Sequence, residues 1–305
     1  MTKTLLIGAA SALILAACSA ATTGADKAGE MAEKIASDTI SKVSDTSKLD
    51  EILAAQSEKA QARYDARNPK ATLEFFGIKP GMTVVEALPG GGWYSKILIP
   101  YLGDEGHLIG VDYSLRMWPE FGGFANEAFI EKKKTWAADW VEGAQEWRMG
   151  SNADISAFTF ESRDKSLDGT ADAVLFIRAM HNLSRFQSKG DYLTKAMEDT
   201  YALLKPGGIV GIVQHQGPEI NDDSWADGSK GYLKKSNVIA SMQSAGFELV
   251  KESAVNENPK DTPSNSESVW RLPPTLGGSK DNPEMRAKMQ TIGESNRMTL
   301  LFKKV

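Results

Sequence analysis

The sequence contains a single cysteine, Cys18, among its 305 residues. A disulfide within the chain is therefore excluded. The sequence also lacks an excess of basic residues, since 35 Lys and Arg face 40 Asp and Glu and leave a net charge of -5. No long run of Lys and Arg concentrates positive charge, so nucleic acid is not expected as a partner. The 41% hydrophobic and 25% charged residues that are present are typical of a globular protein with a full core.

The apolar run near the N-terminus, residues 5–15, is too short to span a bilayer, because a transmembrane helix needs about 20 apolar residues. Lys3 precedes this run, and residues 1–18 are predicted to be a signal peptide. The sequence LAAC at residues 15–18 resembles the lipobox of bacterial lipoproteins, in which cleavage precedes a cysteine that is then acylated. The resemblance implies a lipid anchor on Cys18, and Ser19 favours an exported, outer-membrane lipoprotein that faces the periplasm. The alternative is an ordinary signal peptide whose cleavage removes Cys18.

Three regions follow the predicted signal peptide. Residues 19–45 are rich in Ala, Ser, Thr, Asp and Lys and are predicted to be a flexible tether. Residues 46–305 are predicted to form one folded domain. Within it, residues 256–297 are rich in Asn, Ser and Pro and are too many for a hairpin turn. We expect this stretch to be a lid or substrate loop, or else to be disordered.

Strand-like and helix-like segments alternate along the domain, which predicts a doubly wound α/β fold with a mostly parallel sheet. The helix-like segments would cover both faces of that sheet. The predicted strands are Thr83 to Ala87, Leu108 to Val111, Ile155 to Phe160, Ala173 to Ile177, Ile209 to Val213, Leu249 to Val255 and Met298 to Phe302.

Three consecutive glycines, Gly90, Gly91 and Gly92, lie between the first predicted strand and a helix. Glycine at such a turn lets backbone N–H groups approach a ligand, and the start of the helix favours negative charge. Asp112 ends the next predicted strand, where a carboxylate can accept hydrogen bonds from both hydroxyls of a ribose. Together the turn and the acid predict a nucleoside site.

These residues resemble the class I S-adenosylmethionine-dependent methyltransferases, whose first strand ends in an acidic residue followed by alternating glycines. Glu86, Gly90 and Gly92 occupy matching positions, whereas Leu88 replaces the first glycine of the family. The resemblance covers residues 50–305 and continues in DAVLF at 172–176, LLKPGG at 203–208 and RMTLLF at 297–302. The segments FGIKPGM at 76–82, PGGGWY at 89–94 and RAMHN at 178–182 are similar to a subgroup of predicted bacterial methyltransferases.

The resemblance implies a Rossmann-like sheet of seven strands with a late antiparallel strand, and S-adenosylmethionine as the cofactor. It places Glu86 near the methionine moiety, the glycines along the cofactor and Asp112 on the ribose. The alternative role of Glu86 is a structural carboxylate that caps nearby amides, and that of Asp112 is a solvated loop acid. The implied cofactor-binding residues are Glu86, Gly90, Gly91, Gly92, Tyr94, Asp112, Arg178 and Asn182.

His181 and His215 follow the carboxyl ends of the fourth and fifth predicted strands, the sheet edge at which ligands bind in open α/β folds. Either histidine could act as a general base toward an oxygen or nitrogen nucleophile. A base is optional, because the sulfonium of the cofactor is already an activated methyl donor and alignment contributes most. The alternative is that each histidine is a loop residue hydrogen-bonded to the sheet edge. No metal site is predicted.

The leading hypothesis is an exported methyltransferase acting on a small molecule. S-adenosylmethionine is made in the cytoplasm, which motivates a second hypothesis, a non-catalytic envelope lipoprotein that uses the fold as a binding module. A third hypothesis is a nicotinamide-dependent oxidoreductase, since a glycine turn followed by an acid also fits that class. The late strand Met298 to Phe302 discriminates against it, because the usual dinucleotide fold lacks such a strand. The sequence predicts neither the acceptor nor the oligomeric state.

Overall fold

The computed structural model describes Lys27, Glu30, Met31, Lys34 and residues 44–305. Chain contacts divide the protein into two units, Met1–Asp50 and Glu51–Val305. In the first unit the described residues are helical. The predicted signal peptide, Cys18 and most of the predicted tether lie outside the described residues. Across the described part of the chain, no helix combines the length and apolar character that a membrane span requires.

The second unit is built on an eight-stranded sheet. Its strands are β1 (Thr83–Ala87), β2 (His107–Asp112), β3 (Asp154–Thr159), β4 (Ala171–Ile177), β5 (Leu204–Gly217), β6 (Leu233–Lys234), β7 (Phe247–Ser253) and β8 (Arg297–Lys304). Seven of them follow the order β3-β2-β1-β4-β5-β8-β7, and the two-residue β6 pairs with β5 outside this path. The first five strands are parallel, whereas β8 is antiparallel to both β5 and β7.

This topology confirms the predicted α/β fold with a late antiparallel strand. Most residues of β1 and β4 are apolar and buried, as expected for parallel strands that are covered on both faces, and Glu86 is a buried polar exception in β1. Because β1 lies between β2 and β4, the carboxyl ends of these three strands meet at one edge of the sheet.

Short helices connect the strands, and several end where the sequence changes character. The helix that begins at Pro69 ends at Phe76, because Gly77 adopts a left-handed conformation with a φ of 70°. The helices are α1 (residues 44–54), α2 (Glu58–Gln61), α3 (Tyr64–Arg67), α4 (Pro69–Phe76), α5 (Ser95–Leu102), α6 (Glu127–Lys133), α7 (Trp136–Ala144), α8 (Met180–Arg185), α9 (Gln187–Gly190), α10 (Tyr192–Leu203), α11 (Lys235–Ser244) and α12 (Pro283–Ile292).

Residues 256–297 contain a 3₁₀ turn, Val269–Arg271, and α12. A buried network ties this stretch to the rest of the unit. Asp261 Oδ1 accepts a hydrogen bond from Arg271 at 2.9 Å, and its Oδ2 accepts one from the hydroxyl of Tyr232 at 2.9 Å. That this stretch opens as a lid stays a prediction.

Candidate active site

A cavity of about 330 Å³ lies at the carboxyl edge of the sheet, between the glycine turn and residues 269–275. It has the size expected of a small-ligand site. Seven of the predicted site residues contribute to its lining, namely Glu86, Gly90, Gly91, Tyr94, Arg178, His181 and His215. Gly92, Asp112 and Asn182 are not part of the lining.

The chain leaves β1 through a left-handed residue, Leu88, with a φ of 55°. This conformation costs a residue with a side chain about 1–2 kcal/mol, a cost that a glycine at position 88 would not have. The Leu88 N–H donates to the carbonyl of Val111 at 2.6 Å, so the turn begins while the strands are still paired. Gly90 and Gly91 follow with exposed backbone and line the cavity.

Gly92 is a different kind of glycine. It is buried, its φ is 73°, and a Cβ atom there would lie 2.5 Å from the ring of Trp147. The close approach of this indole therefore requires glycine at position 92. The turn is open to the cavity at Gly90 and Gly91 and is covered by Trp147 at Gly92.

Both carboxylate oxygens of Asp112 already have donors within the chain. Lys133 Nζ lies 2.7 Å from Oδ2, and the N–H of Tyr113 donates to Oδ1 at 2.9 Å. Asp112 is buried, so it is not a solvated loop acid. Burial raises its pKa, and the ion pair with Lys133 opposes that rise. Asn182 lies close to this group, since its Nδ2 donates to the hydroxyl of Tyr113 at 2.9 Å.

Glu86 lies at the base of the cavity and is buried. Its Oε2 accepts a hydrogen bond of 2.6 Å from Ser95 Oγ, at the start of α5. The donor of this bond is a side-chain hydroxyl. The alternative role of Glu86, a structural carboxylate that caps nearby amides, would instead require backbone N–H donors. Burial raises the pKa of Glu86 to about 7, although Ser95 and Arg178 act in the opposite direction.

The chain leaves β4 in the same manner as it leaves β1. Arg178 has a φ of 60°, and its N–H donates to the carbonyl of Val213 on β5 at 2.6 Å. Its side chain is half-buried and lines the cavity. Burial, followed by the positive charge of Arg297, lowers its pKa.

His181, in α8 after β4, and His215, near the end of β5, lie together with ring centroids 5.7 Å apart. Ser295 Oγ lies 2.5 Å from Nδ1 of His215. Burial lowers the pKa of His181 to about 4 and lowers that of His215 well below its usual value. Both imidazoles are therefore neutral near pH 7.

Residues 269–275 and 294–295 complete the cavity. They come from the stretch whose position the sequence does not predict, because a polar, Pro-rich segment has no periodicity. Trp270, an aromatic residue within this polar stretch, is the sequence feature that could have indicated a role of the stretch in the site. Trp93, next to the glycines, also lines the cavity. Among the residues that the structure describes, no group of three or more His, Cys, Asp and Glu side chains is arranged to hold a metal ion.

Comparison with known proteins gives one curated relative and a set of similar folds. No family model matches the chain. Over 232 residues it is 27% identical to an arsenite methyltransferase of Halobacterium salinarum. The aligned residues cover 74% of this chain and 50% of the relative. The chain thus spans about half the length of that relative.

Two solved structures show the range of similar folds. One is a SAM-dependent methyltransferase from Aquifex aeolicus, with 15% identity and a TM-score of 0.47 over 84% of this chain and 98% of that chain. The other is a 1,6-didemethyltoxoflavin-N1-methyltransferase of Burkholderia thailandensis with bound S-adenosylhomocysteine, with 12% identity and a TM-score of 0.42 over 100% and 93% of the two chains. The strand order and the curated relative support the class I methyltransferase resemblance.

The raised pKa of Glu86 predicts a specific dependence of stability on pH. Between pH 4.5 and about 7 the folded protein keeps a proton on Glu86 that the unfolded chain has lost, so the free energy of unfolding falls as the pH rises. The loss is complete above pH 7 and amounts to about 3 kcal/mol. Glu86→Gln should therefore be more stable than the wild type at pH 8 and nearly equal to it at pH 4.5, as measured by urea unfolding.

The lowered pKa values of His181 and His215 have the opposite effect, because their stability contribution is lost as the pH falls below 6.5. Both proteins share these histidines, so the difference between wild type and variant isolates Glu86. A difference that does not change between pH 4.5 and pH 8 would contradict this account of Glu86.

Gly92 and Gly91 should respond differently to substitution by alanine. Gly92→Ala should lower the free energy of unfolding by about 2–4 kcal/mol, because the new Cβ meets Trp147 and the φ is left-handed. Gly91→Ala should change it by less than about 0.5 kcal/mol, because nothing lies within 4 Å of its added Cβ. Thermal unfolding of both variants measures the difference, and equal melting temperatures would mean that Trp147 does not cover Gly92.

Proposed function

We propose that this protein transfers a methyl group from S-adenosylmethionine to a small-molecule acceptor bound in the cavity. The observation that carries the proposal is the open glycine turn at Gly90 and Gly91, which shares one cavity with the neutral imidazoles of His181 and His215. The turn offers backbone amides to a cofactor, and the histidines lie where a nucleophile would approach. The arsenite methyltransferase relative supports the reaction class.

The residues around the turn fit the two ends of the cofactor differently. At the methionine end, Gly90 and Gly91 are exposed, and Glu86 and Tyr94 line the same cavity. At the ribose end, both oxygens of Asp112 already have donors. Ribose hydroxyls must therefore share these oxygens with Lys133 or displace its ammonium group.

The cofactor supplies an activated methyl group, and the protein has to hold the acceptor in line with it. His215 is fixed in position by Ser295, and as a neutral imidazole it can take a proton from an oxygen or nitrogen nucleophile. Because burial lowers the pKa of both histidines, each is a weak base. Alignment rather than proton removal then accounts for most of the rate.

The two rival hypotheses gain nothing from these observations. The antiparallel β8 beside β5 favours a methyltransferase over a nicotinamide-dependent oxidoreductase. No feature of the cavity favours a binding module without turnover. The glycine turn that would bind the cofactor and the histidines that would face the nucleophile, His181 and His215, line the same cavity.

Calorimetric titration of the purified protein with S-adenosylmethionine and with S-adenosylhomocysteine tests the cofactor. We expect micromolar binding of both and none of NAD. Gly91→Ala should weaken binding at least tenfold without loss of stability, because its Cβ enters the space that the cofactor needs. Gly143→Ala on α7, where nothing lies within 4 Å of the added Cβ, is the matched control and should bind normally. An absence of heat at millimolar ligand would remove the proposal.

Turnover is tested by incubating the protein with methyl-labelled cofactor and a small-molecule extract of its source cells. Label should appear in a small molecule with the wild type and not with Gly91→Ala. Cofactor binding without any transfer would favour the binding module instead.

Export and a lipid anchor on Cys18 are part of the same proposal, supported by the sequence at residues 1–19. Mass spectrometry of the mature N-terminal peptide should find Cys18 as the first residue, with a diacylglyceryl group on its sulfur. Cys18→Ser should remain unprocessed. A mature chain that begins beyond residue 18 would instead support an ordinary signal peptide.

A further inference from the structure

Arg178 is an unpaired cation inside the cavity. Its guanidinium makes no hydrogen bond or ion pair with any other residue in the described part of the chain, although it lines the cavity and is half-buried. A charge that is partly removed from water and has no partner is costly. Its backbone adds to that cost, because a non-glycine residue with a φ of 60° is strained. Such features at a ligand-binding edge indicate that the partner of Arg178 comes from outside the chain.

The charged residues near Arg178 also indicate that its partner is an external anion. Glu294, which also lines the cavity, is paired with three guanidinium groups, those of Arg63, Arg67 and Arg297. Although burial alone would raise the pKa of Glu294, these arginines hold it below its usual value. Glu294 is therefore ionised, and one carboxylate balances only one of the three cations.

Glu86 is the second carboxylate of the cavity, and its pKa of about 7 leaves it partly protonated near neutral pH. Arg178 lines the cavity, and the three arginines paired with Glu294 lie behind that carboxylate, so four guanidinium groups stand against two carboxylates, one of them only partly charged. The lining also contains an indole donor, Nε1 of Trp93, which is buried and has no acceptor in the described structure. The cavity and its rim therefore present an excess of positive charge and of hydrogen-bond donors.

The proposed cofactor does not remove this excess. S-adenosylmethionine carries a carboxylate, an ammonium group and a sulfonium, so its binding adds one further positive charge. Arg178 also lies at the end of β4, next to His181 and one strand further from Asp112 than the glycine turn. Electrostatic balance in a site of low dielectric constant then requires a second, anionic ligand.

We propose that the methyl acceptor is a small organic anion, with a carboxylate or comparable oxyanion that binds Arg178. This inference rests on the proposed function and names the class of its acceptor. A guanidinium is suited to this task because its fork of N–H donors matches the two oxygens of a carboxylate. The nucleophilic atom of the acceptor would then lie beside His181 and His215, within reach of the methyl group.

Binding of benzoate and of its neutral analogue benzyl alcohol tests the proposal, measured by ligand-observed NMR with saturating S-adenosylhomocysteine. Wild-type protein should bind benzoate at least tenfold more tightly than benzyl alcohol. Arg178→Met should lose that preference, and Arg178→Lys should retain part of it. Arg185→Met removes an exposed cation of α8 outside the cavity lining and should behave as the wild type.

The same variants separate the two possible sources of the carboxylate. If Arg178 binds the acceptor, Arg178→Met should bind S-adenosylhomocysteine within threefold of the wild type. A tenfold loss for S-adenosylhomocysteine, with unchanged binding of 5′-methylthioadenosine, would mean that Arg178 holds the carboxylate of the cofactor and would overturn the proposal. Equal benzoate binding by wild type and Arg178→Met would also overturn it.

Stability distinguishes a binding role from a structural one. Arg178 has no partner in the folded chain, so Arg178→Met should melt no lower than the wild type, whereas a structural arginine would lower the melting temperature. If S-adenosylhomocysteine does not bind the wild type at all, the proposed function fails. The benzoate titration without cofactor then still reports on Arg178 alone.

Discussion

Two strands of the sheet end in the same unusual way, and the residues at which they end line the cavity. After β1 and after β4 the chain turns out of the sheet through a left-handed residue, Leu88 or Arg178, whose N–H still donates to the neighbouring strand. The two turns follow adjacent strands and bond to different neighbours, β2 and β5, and the cavity lies at this edge of the sheet. Each costs about 1–2 kcal/mol in backbone conformation, which the ladder of the buried strands offsets.

The remaining walls of the cavity come from parts of the chain far away in sequence. Glu294 forms ion pairs with Arg63, Arg67 and Arg297. These ion pairs connect the segment around residues 63–67 to the segment around residues 294–297. The network of Asp261 with Tyr232 and Arg271 fixes the stretch that carries Trp270. Polar interactions thus position the cover of the cavity, whereas apolar burial positions its floor. The position of the cover therefore depends more on ion pairs and hydrogen bonds to charged groups than the position of the sheet does.

The sequence predicts the floor of the site well and its cover poorly, and the physical reason is the range of the interactions. Buried parallel strands leave continuous apolar segments, so the bounds predicted for β1 are those observed. The position of the glycine turn follows from the same pattern. The antiparallel pairing of β8, in contrast, is an expectation that comes from the family resemblance and not from the apolar pattern. The contact of Lys133 with Asp112 and that of Trp147 with Gly92 depend on side-chain packing, which has no local signal. Hence Asp112 was identified as a candidate, while its existing partner was not.

The central claim is that an adenosyl cofactor binds at the open part of the glycine turn. Amide hydrogen exchange of residues 88–94, followed by mass spectrometry with and without S-adenosylhomocysteine, tests it most directly. The ligand should slow exchange at Gly90 and Gly91 at least tenfold and leave the exchange of β3 unchanged. Exchange at these two amides that is unaffected by saturating ligand would contradict it.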